Sequence, residues 1–200
     1  MQEDQIKLLS NAASVAPEEN ELAQKLEPLL TQLRITIKVF AFSLLVLLSV
    51  ALCARSPKIA PPTTELTSTV RWVAIFSAPL AFALSRALAR SVVRRGRSQL
   101  VAGELSIPAN AYDISALGDA GKMYDVYQRQ AIRSATVVFG AALFCVAAVY
   151  LVGSVASLGL SIVLMFWLHG MYPHATRVAE WIDNELRLVD DERVIAARRW

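Results

Sequence analysis

Acidic side chains are missing from the four longest apolar stretches of this 200-residue sequence, roughly residues 35–53, 70–89, 134–152 and 155–172. Charge is kept in mid-membrane where it moves ions, protons or voltage sensors, so the absence argues against ion-coupled transporters, proton channels and rotary-motor rings. The charges or histidines these stretches do hold, Lys38, Arg71, Arg86 and His169, lie near their ends and can reach an interface. Cysteine is scarce: Cys53 and Cys145 make neither a disulfide framework nor a metal-ligand spacing. The only histidines, His169 and His174, are five positions apart across Pro173, whereas two ligands converge on a helix at i, i+4. No metal and no cofactor is therefore expected. The scattered glycines form no phosphate-binding loop, and no zinc-protease helix or haem-attachment pair occurs. Without stacking platforms or a nucleic-acid motif, the chain is expected to bind no nucleic acid.

Apolar residues, in contrast, make up 55% of the chain, and the mean hydropathy is +0.43. The runs FAFSLLVLLSVALC, ending at Cys53, and TVVFGAALFCVAAVYLVG, ending at Gly153, are too apolar to be left in water. Each of the four stretches approaches the ~20 residues that cross ~30 Å of hydrocarbon as an α-helix. The expected fold is all-α: a polytopic membrane protein with four transmembrane helices as two hairpins and helical cytoplasmic extensions.

Basic residues fix the orientation, because positively charged flanks stay on the cytoplasmic side. A four-span chain places 17 of the 20 Lys and Arg on the side of the central segment and both termini, and 3, Arg55, Lys58 and Arg71, on the other. Both termini are read as cytoplasmic, with the bacterial inner membrane as the expected location. The tail 1–34 is net acidic, unlike the basic start of a secretory signal, so the first stretch is read as a retained anchor. The organisation is then a cytoplasmic amphipathic helix 1–34, a first transmembrane hairpin 35–89, a basic cytoplasmic loop with helical segments 90–133, a second hairpin 134–172 and a cytoplasmic amphipathic helix 173–200.

Helical spacing of Leu22, Leu26, Leu29 or Leu30, and Leu33 predicts an apolar face in the tail, which Pro28 is expected to kink or interrupt. Pro57, Pro61 and Pro62 mark residues 54–69 as an irregular connector. Asp113 is placed to cap a helix that leads through Tyr124 and Tyr127 into the third stretch, with Gly118 and Gly121 able to split it near its start. A tight turn is expected between Leu151 and Gly159.

Three constellations are candidates for contact rather than catalysis. Arg86, Arg90, Arg94 and Arg97 recur along one side of a helix leaving the membrane and suit anionic lipid headgroups or an acidic partner. Ser77, Ala81, Ser85 and Ala89 stand at four-residue intervals in the second stretch, where small side chains let another helix approach; Pro79 is expected to kink the same stretch. Val178, Ile182, Leu186 and Val189 form an apolar face in the C-terminal helix that requires a cover, from this chain or from another. The function expected is that of a non-catalytic scaffold or accessory subunit of a membrane assembly, with the lipid bilayer, anionic headgroups and a protein partner or second copy as its contacts. An oligomeric passive conduit along Ser154, Ser157 and Ser161 is the alternative. A metal protein or enzyme using His169 and His174 is the third reading.

Overall fold

The computed structural model describes residues 2–54, 64–105, 114 and 117–198, with side chains from residue 21 onward except at 64 and 66. Among these residues every regular element is an α-helix: α1 Gln2–Cys53, α2 Thr64–Val101, α3 Gly118–Val152, α4 Val155–Gly170 and α5 Ala175–Ala197. The protein is all-helical, and α1, α2 and α3 are long and apolar enough to cross a membrane; a fourth candidate arises if the bent pair of α4 and α5 is taken as one span. Alone, the 16 residues of α4 rise about 24 Å at 1.5 Å each, short of a full hydrocarbon core.

Pro28 does not interrupt α1, which is helical on both sides of it. Proline removes one intrahelical hydrogen bond, and the buried leucines before and after it hold the helix across that gap. α2 likewise continues through Pro79. The break that the glycines offered falls at Gly118: Ile114 is helical, Leu117 N–H bonds Ile114 O at 3.2 Å in a turn, and Gly118, with φ 58°, starts α3, while Gly121 lies inside its first turn. A Cβ on Gly121 would overlap the carbonyl oxygen of Ile114, so only glycine lets the chain pass there. The expected Asp113 cap lies outside the described residues, as do positions 55–63 of the connector expected over 54–69; its last six positions, 64–69, are helical and open α2. α2 ends at Gly103, φ 72°, where Glu104 N–H bonds Gln99 O at 2.9 Å and Gly103 N–H bonds Leu100 O at 3.2 Å, a Schellman closure. The turn after α3 is Gly153, φ 68°, followed by Ser154, whose Oγ accepts from Ser157 N–H and caps α4.

Buried positions step by four and three on the first four helices: Leu26, Leu30, Leu33 and Ile37 on α1; Ala74, Ala78, Ala81 and Ser85 on α2; Ala135, Val138, Ala142, Cys145 and Val149 on α3; Ser157, Ser161, Leu164 and Leu168 on α4. This average of 3.5 keeps one seam turned inward.

The chain divides into two compact units. One, here the polar unit, comprises Met1–Leu33, Arg95–Tyr127 and Pro173–Trp200; the other, the apolar unit, comprises Arg34–Arg94 and Gln128–Tyr172. The core of the polar unit is built from large side chains, including Leu26, Leu30, Leu33, Leu100, Met123, Tyr124 and Ile182. Burial of such groups from water contributes about 1.5–3 kcal/mol each, which is the force that holds a unit in aqueous surroundings. The apolar unit has a different interior: eight of the fifteen residues in its central cluster are alanine. Small side chains bring helix backbones close, and van der Waals contact then does what hydrophobic burial cannot do in lipid. Its outside is also inverted, since among the described residues 22 of the 25 exposed large hydrophobic ones belong to it, with Phe42, Phe76, Phe144, Val155 and Phe166 each at least 60% exposed.

Candidate functional site

Charge separates the two units as sharply as hydropathy. Glu65 is the one carboxylate in the apolar unit against ten Lys and Arg, leaving sixteen carboxylates and ten cations in the polar unit. Arg86, Arg90 and Arg94 are exposed on α2 in the apolar unit. Arg86 is also steadied by its neighbour, with its guanidinium carbon 4.5 Å from the centroid of the Phe82 ring. Tyr172 brings together two cations one turn apart on α1: Lys38 Nζ lies 5.4 Å and Arg34 Cζ 5.6 Å from its ring centroid. The i, i+4 spacing of Arg34 and Lys38 places the two cations on one side of α1, which is what lets both approach the same ring.

Arg97 departs from the row. It lies in the polar unit, where its Nε and Nη2 donate to Oε2 of Glu185 at 3.2 and 2.5 Å and its Nη1 donates to Glu192 at 3.3 Å. Glu185 and Glu192 are seven residues apart on α5, hence on one face, a relation readable in the sequence once α5 and α2 are known to be neighbours. A second node lies beside it: Arg193 donates to Asp119 at 3.0 Å and to the Leu100 carbonyl at 3.3 Å, and Lys122 donates to Asp119 at 3.0 Å. The Asp119 carboxyl, well before the apolar stretch of α3, is held below the usual range by the Lys122 hydrogen bond, against partial desolvation and with help from Arg193. Tyr124 donates its hydroxyl to the Leu29 carbonyl at 2.7 Å, and burial pushes the phenol up to about 12, so it stays a neutral donor. Tyr127 and Trp181 pack ring to ring at 5.3 Å.

The small-residue face of α2 is turned from its expected line. Ala81 and Ser85 are buried, but Ser77 and Ala89 are only half-buried, and Ala74 and Ala78 complete the inward seam. A strict four-residue interval drifts about 40° per step around a 3.6-residue helix, whereas steps of four and three hold one face. The seam meets α3 in antiparallel register. Cys145 Sγ donates to the Ala74 carbonyl at 3.6 Å and lies 3.7 Å from Ser77 Oγ, and eleven residues away on both helices Ser134 Oγ donates to the Ser85 carbonyl at 3.3 Å.

On α5, Val178, Ile182 and Val189 are buried and Leu186 is half-buried. The chain itself covers this face, and Glu185 shares its inward register. The apolar residues that α5 leaves exposed are Leu188, Val194 and Ile195, at 43, 51 and 54%. Ser154, Ser157 and Ser161 are buried, with Ser161 Oγ donating to the Ser157 carbonyl at 2.9 Å and Ser157 Oγ without a partner. His169 is exposed, and His174 occupies the position before α5 without a side-chain capping bond. Among the described residues no group of three or more His, Cys, Asp and Glu is placed to hold a metal ion.

These features define an all-helical protein in which several long apolar helices are compatible with a membrane, joined in sequence to a charged helical unit. Comparison with family models, curated proteins and solved structures finds no match for the chain.

Proposed function

We propose that the chain is an integral membrane protein of four spans, both termini cytoplasmic, in a membrane of the bacterial inner type, and that it acts as a non-catalytic scaffold or accessory subunit of a membrane assembly. The observation that carries the membrane part is the inverted build of the apolar unit, with alanines inside, 22 of the large exposed apolar residues outside, and ten cations facing one carboxylate. Such an exterior is stable against hydrocarbon and aggregates in water. Arg86, Arg90 and Arg94 then meet anionic headgroups, each contributing about 1 kcal/mol of attraction near a charged leaflet.

The scaffold part rests on the polar unit. Its charges are spent on one another, in the Arg97–Glu185–Glu192 and Asp119–Lys122–Arg193 nodes, which hold helices together. With Val178, Ile182 and Val189 occupied by the chain's own core, partner contact passes to Leu188, Val194 and Ile195, the large apolar residues exposed outside the apolar unit among the described residues. Nucleic acid is not among the proposed partners. A conduit along Ser157 and Ser161 would first have to open a seam in which both residues have 0% exposure.

Association in mild detergent tests this reading. Wild type is expected to form a defined oligomer or to retain a partner through purification, and the Leu188→Glu/Ile195→Glu variant is expected to lose it while keeping its helix content. Unchanged association, together with a solute flux in liposomes that Ser157→Leu abolishes, would replace the scaffold with the conduit.

A further inference from the structure

We propose that Arg86, held over the Phe82 ring, and Arg90, one turn further along α2, form a discrete binding site for the phosphate of an anionic glycerophospholipid. The site rests on the membrane placement proposed above and goes beyond it by making a fixed site out of one part of a diffuse basic row. The guanidinium carbon of Arg86 stands 4.5 Å from the centroid of the Phe82 ring, and that ring meets Trp167 of α4 with centroids 4.7 Å apart. Phe82 is thereby braced from a second helix, and Arg86 is braced through it. A guanidinium stacked on a ring uses its face and leaves its N–H donors pointing outward in its plane, where a phosphate accepts from two of them in parallel. Both arginines are exposed, and among the described residues neither is paired with a carboxylate.

The surroundings select a phosphate that carries acyl chains. Between residues 72 and 85 the large exposed side chains of α2 are apolar, with Phe76, Leu80, Phe82 and Leu84 at 63, 58, 43 and 45%, and the next ones past Arg86 are Arg90 and Arg94. Arg86 stands on that boundary, and a phosphodiester joined to acyl chains has the same boundary in its own structure. Two guanidinium groups one turn apart repel each other, and an anion between them removes that cost. The one carboxylate of the apolar unit, Glu65, lies near the start of α2, about 30 Å before Arg86 at about 1.5 Å per residue, too far to take the anion's place. A soluble phosphate would use the donors and gain nothing from the apolar stretch, and this difference separates the two sources.

The test is lipid binding to the purified full chain in neutral detergent, read by native mass spectrometry, with phosphatidylglycerol, phosphatidylcholine of the same acyl chains, and glycerol 3-phosphate as probes. One phosphatidylglycerol is expected to bind more tightly than phosphatidylcholine, and glycerol 3-phosphate to bind far more weakly. Arg86→Gln is expected to weaken phosphatidylglycerol about fivefold and Arg94→Gln by less than about twofold. Phe82→Leu keeps every charge and is expected to weaken it about threefold, while Phe82→Tyr, which keeps the ring, retains it. Should Phe82→Leu fail to fold, Arg86→Lys at its exposed position still reads the site: it keeps the charge without the planar fork and is expected to lose about threefold. Equal losses in Arg86→Gln and Arg94→Gln, wild-type affinity in a folded Phe82→Leu or in Arg86→Lys, or equal binding of the two lipids overturns the proposal in favour of diffuse attraction; glycerol 3-phosphate binding as tightly as the lipid overturns the lipid assignment. Flotation with neutral liposomes separates the two levels: a chain that does not float defeats the membrane reading and this site with it, whereas one that floats without the lipid preference defeats the site alone.

Discussion

Arg97 and Glu185 are joined through two nitrogens of the guanidinium to one carboxylate oxygen, and both side chains are largely buried, 21 and 14% exposed. That pairing withdraws the last member of the arginine row from any headgroup and gives it to the α2–α5 packing of the polar unit. Glu185 occupies the same inward seam as Val178, Ile182 and Val189, so its charge is tolerated there because Arg97 meets it.

Removing Arg97 leaves a mostly buried carboxylate without its main partner. Arg97→Ala is expected to lower stability by about 1–3 kcal/mol, between the values for exposed and fully buried pairs, while Arg90→Ala, exposed, stays within about 0.5 kcal/mol of wild type. Denaturant unfolding in detergent checks this, and equal effects of the two substitutions would contradict the assigned roles.

Ile182 has 0% exposure and Ile195 54%, on the same helix. A glutamate at 182 buries an unpaired charge and is expected to cost several kcal/mol or to prevent folding, whereas Ile195→Glu is expected to be nearly neutral for the isolated chain. Helix content and thermal midpoint of the two variants distinguish them.

Gly96 faces Val126, and a Cβ there would stand 2.5 and 2.8 Å from its two methyl carbons. Val126 is 2% exposed and stiff at χ1, so it cannot yield freely. Gly96→Ala is expected to destabilise by about 1–3 kcal/mol in spite of a helix-propensity gain of about 1 kcal/mol, and Val126→Ala in the same chain to recover part of the loss. Strictly additive effects would show that the two residues do not share this contact.

Asp119 has a carboxyl pKa lowered by Lys122 and Arg193, so the sign of its pH dependence is fixed. Its contribution is present above the unfolded value of 3.8 and is lost as pH falls through the lower folded value. Stability of wild type is therefore expected to fall more steeply than that of Asp119→Asn as the pH drops below about 3.8, by a modest amount because the side chain is 36% exposed. Parallel curves would remove Asp119 from the account.

Much of this architecture was legible because it depends on local pattern. The apolar stretches, the turn near Gly153 and the apolar face of α5 follow from periodicity and from glycine's access to positive φ. What stayed hidden depends on which helices are neighbours. Arg86 to Arg97 share one side of α2 by spacing, and nothing local separates Arg97 until Glu185 and Glu192 face it. On the small-residue line Ala81 and Ser85 are buried while Ser77 and Ala89 are half-buried, because the packed register alternates fours and threes, which a fixed interval does not follow. Pro28 leaves α1 uninterrupted, because it removes one hydrogen bond and the buried leucines around it outweigh that loss. The contact of Phe82 with Trp167 behind Arg86 required two segments far apart in sequence to meet.

Topology tests the account most directly. In a chain with Cys53 and Cys145 replaced, single cysteines at Asn11, Gln99 and Arg198 are expected to label from the cytoplasmic face of sealed membranes only, and one at the exposed Glu65 from the opposite face only. Labelling of Asn11, Gln99 and Arg198 from different faces, or of Glu65 from the same face as the other three, would contradict the four-span arrangement and the scaffold built on it.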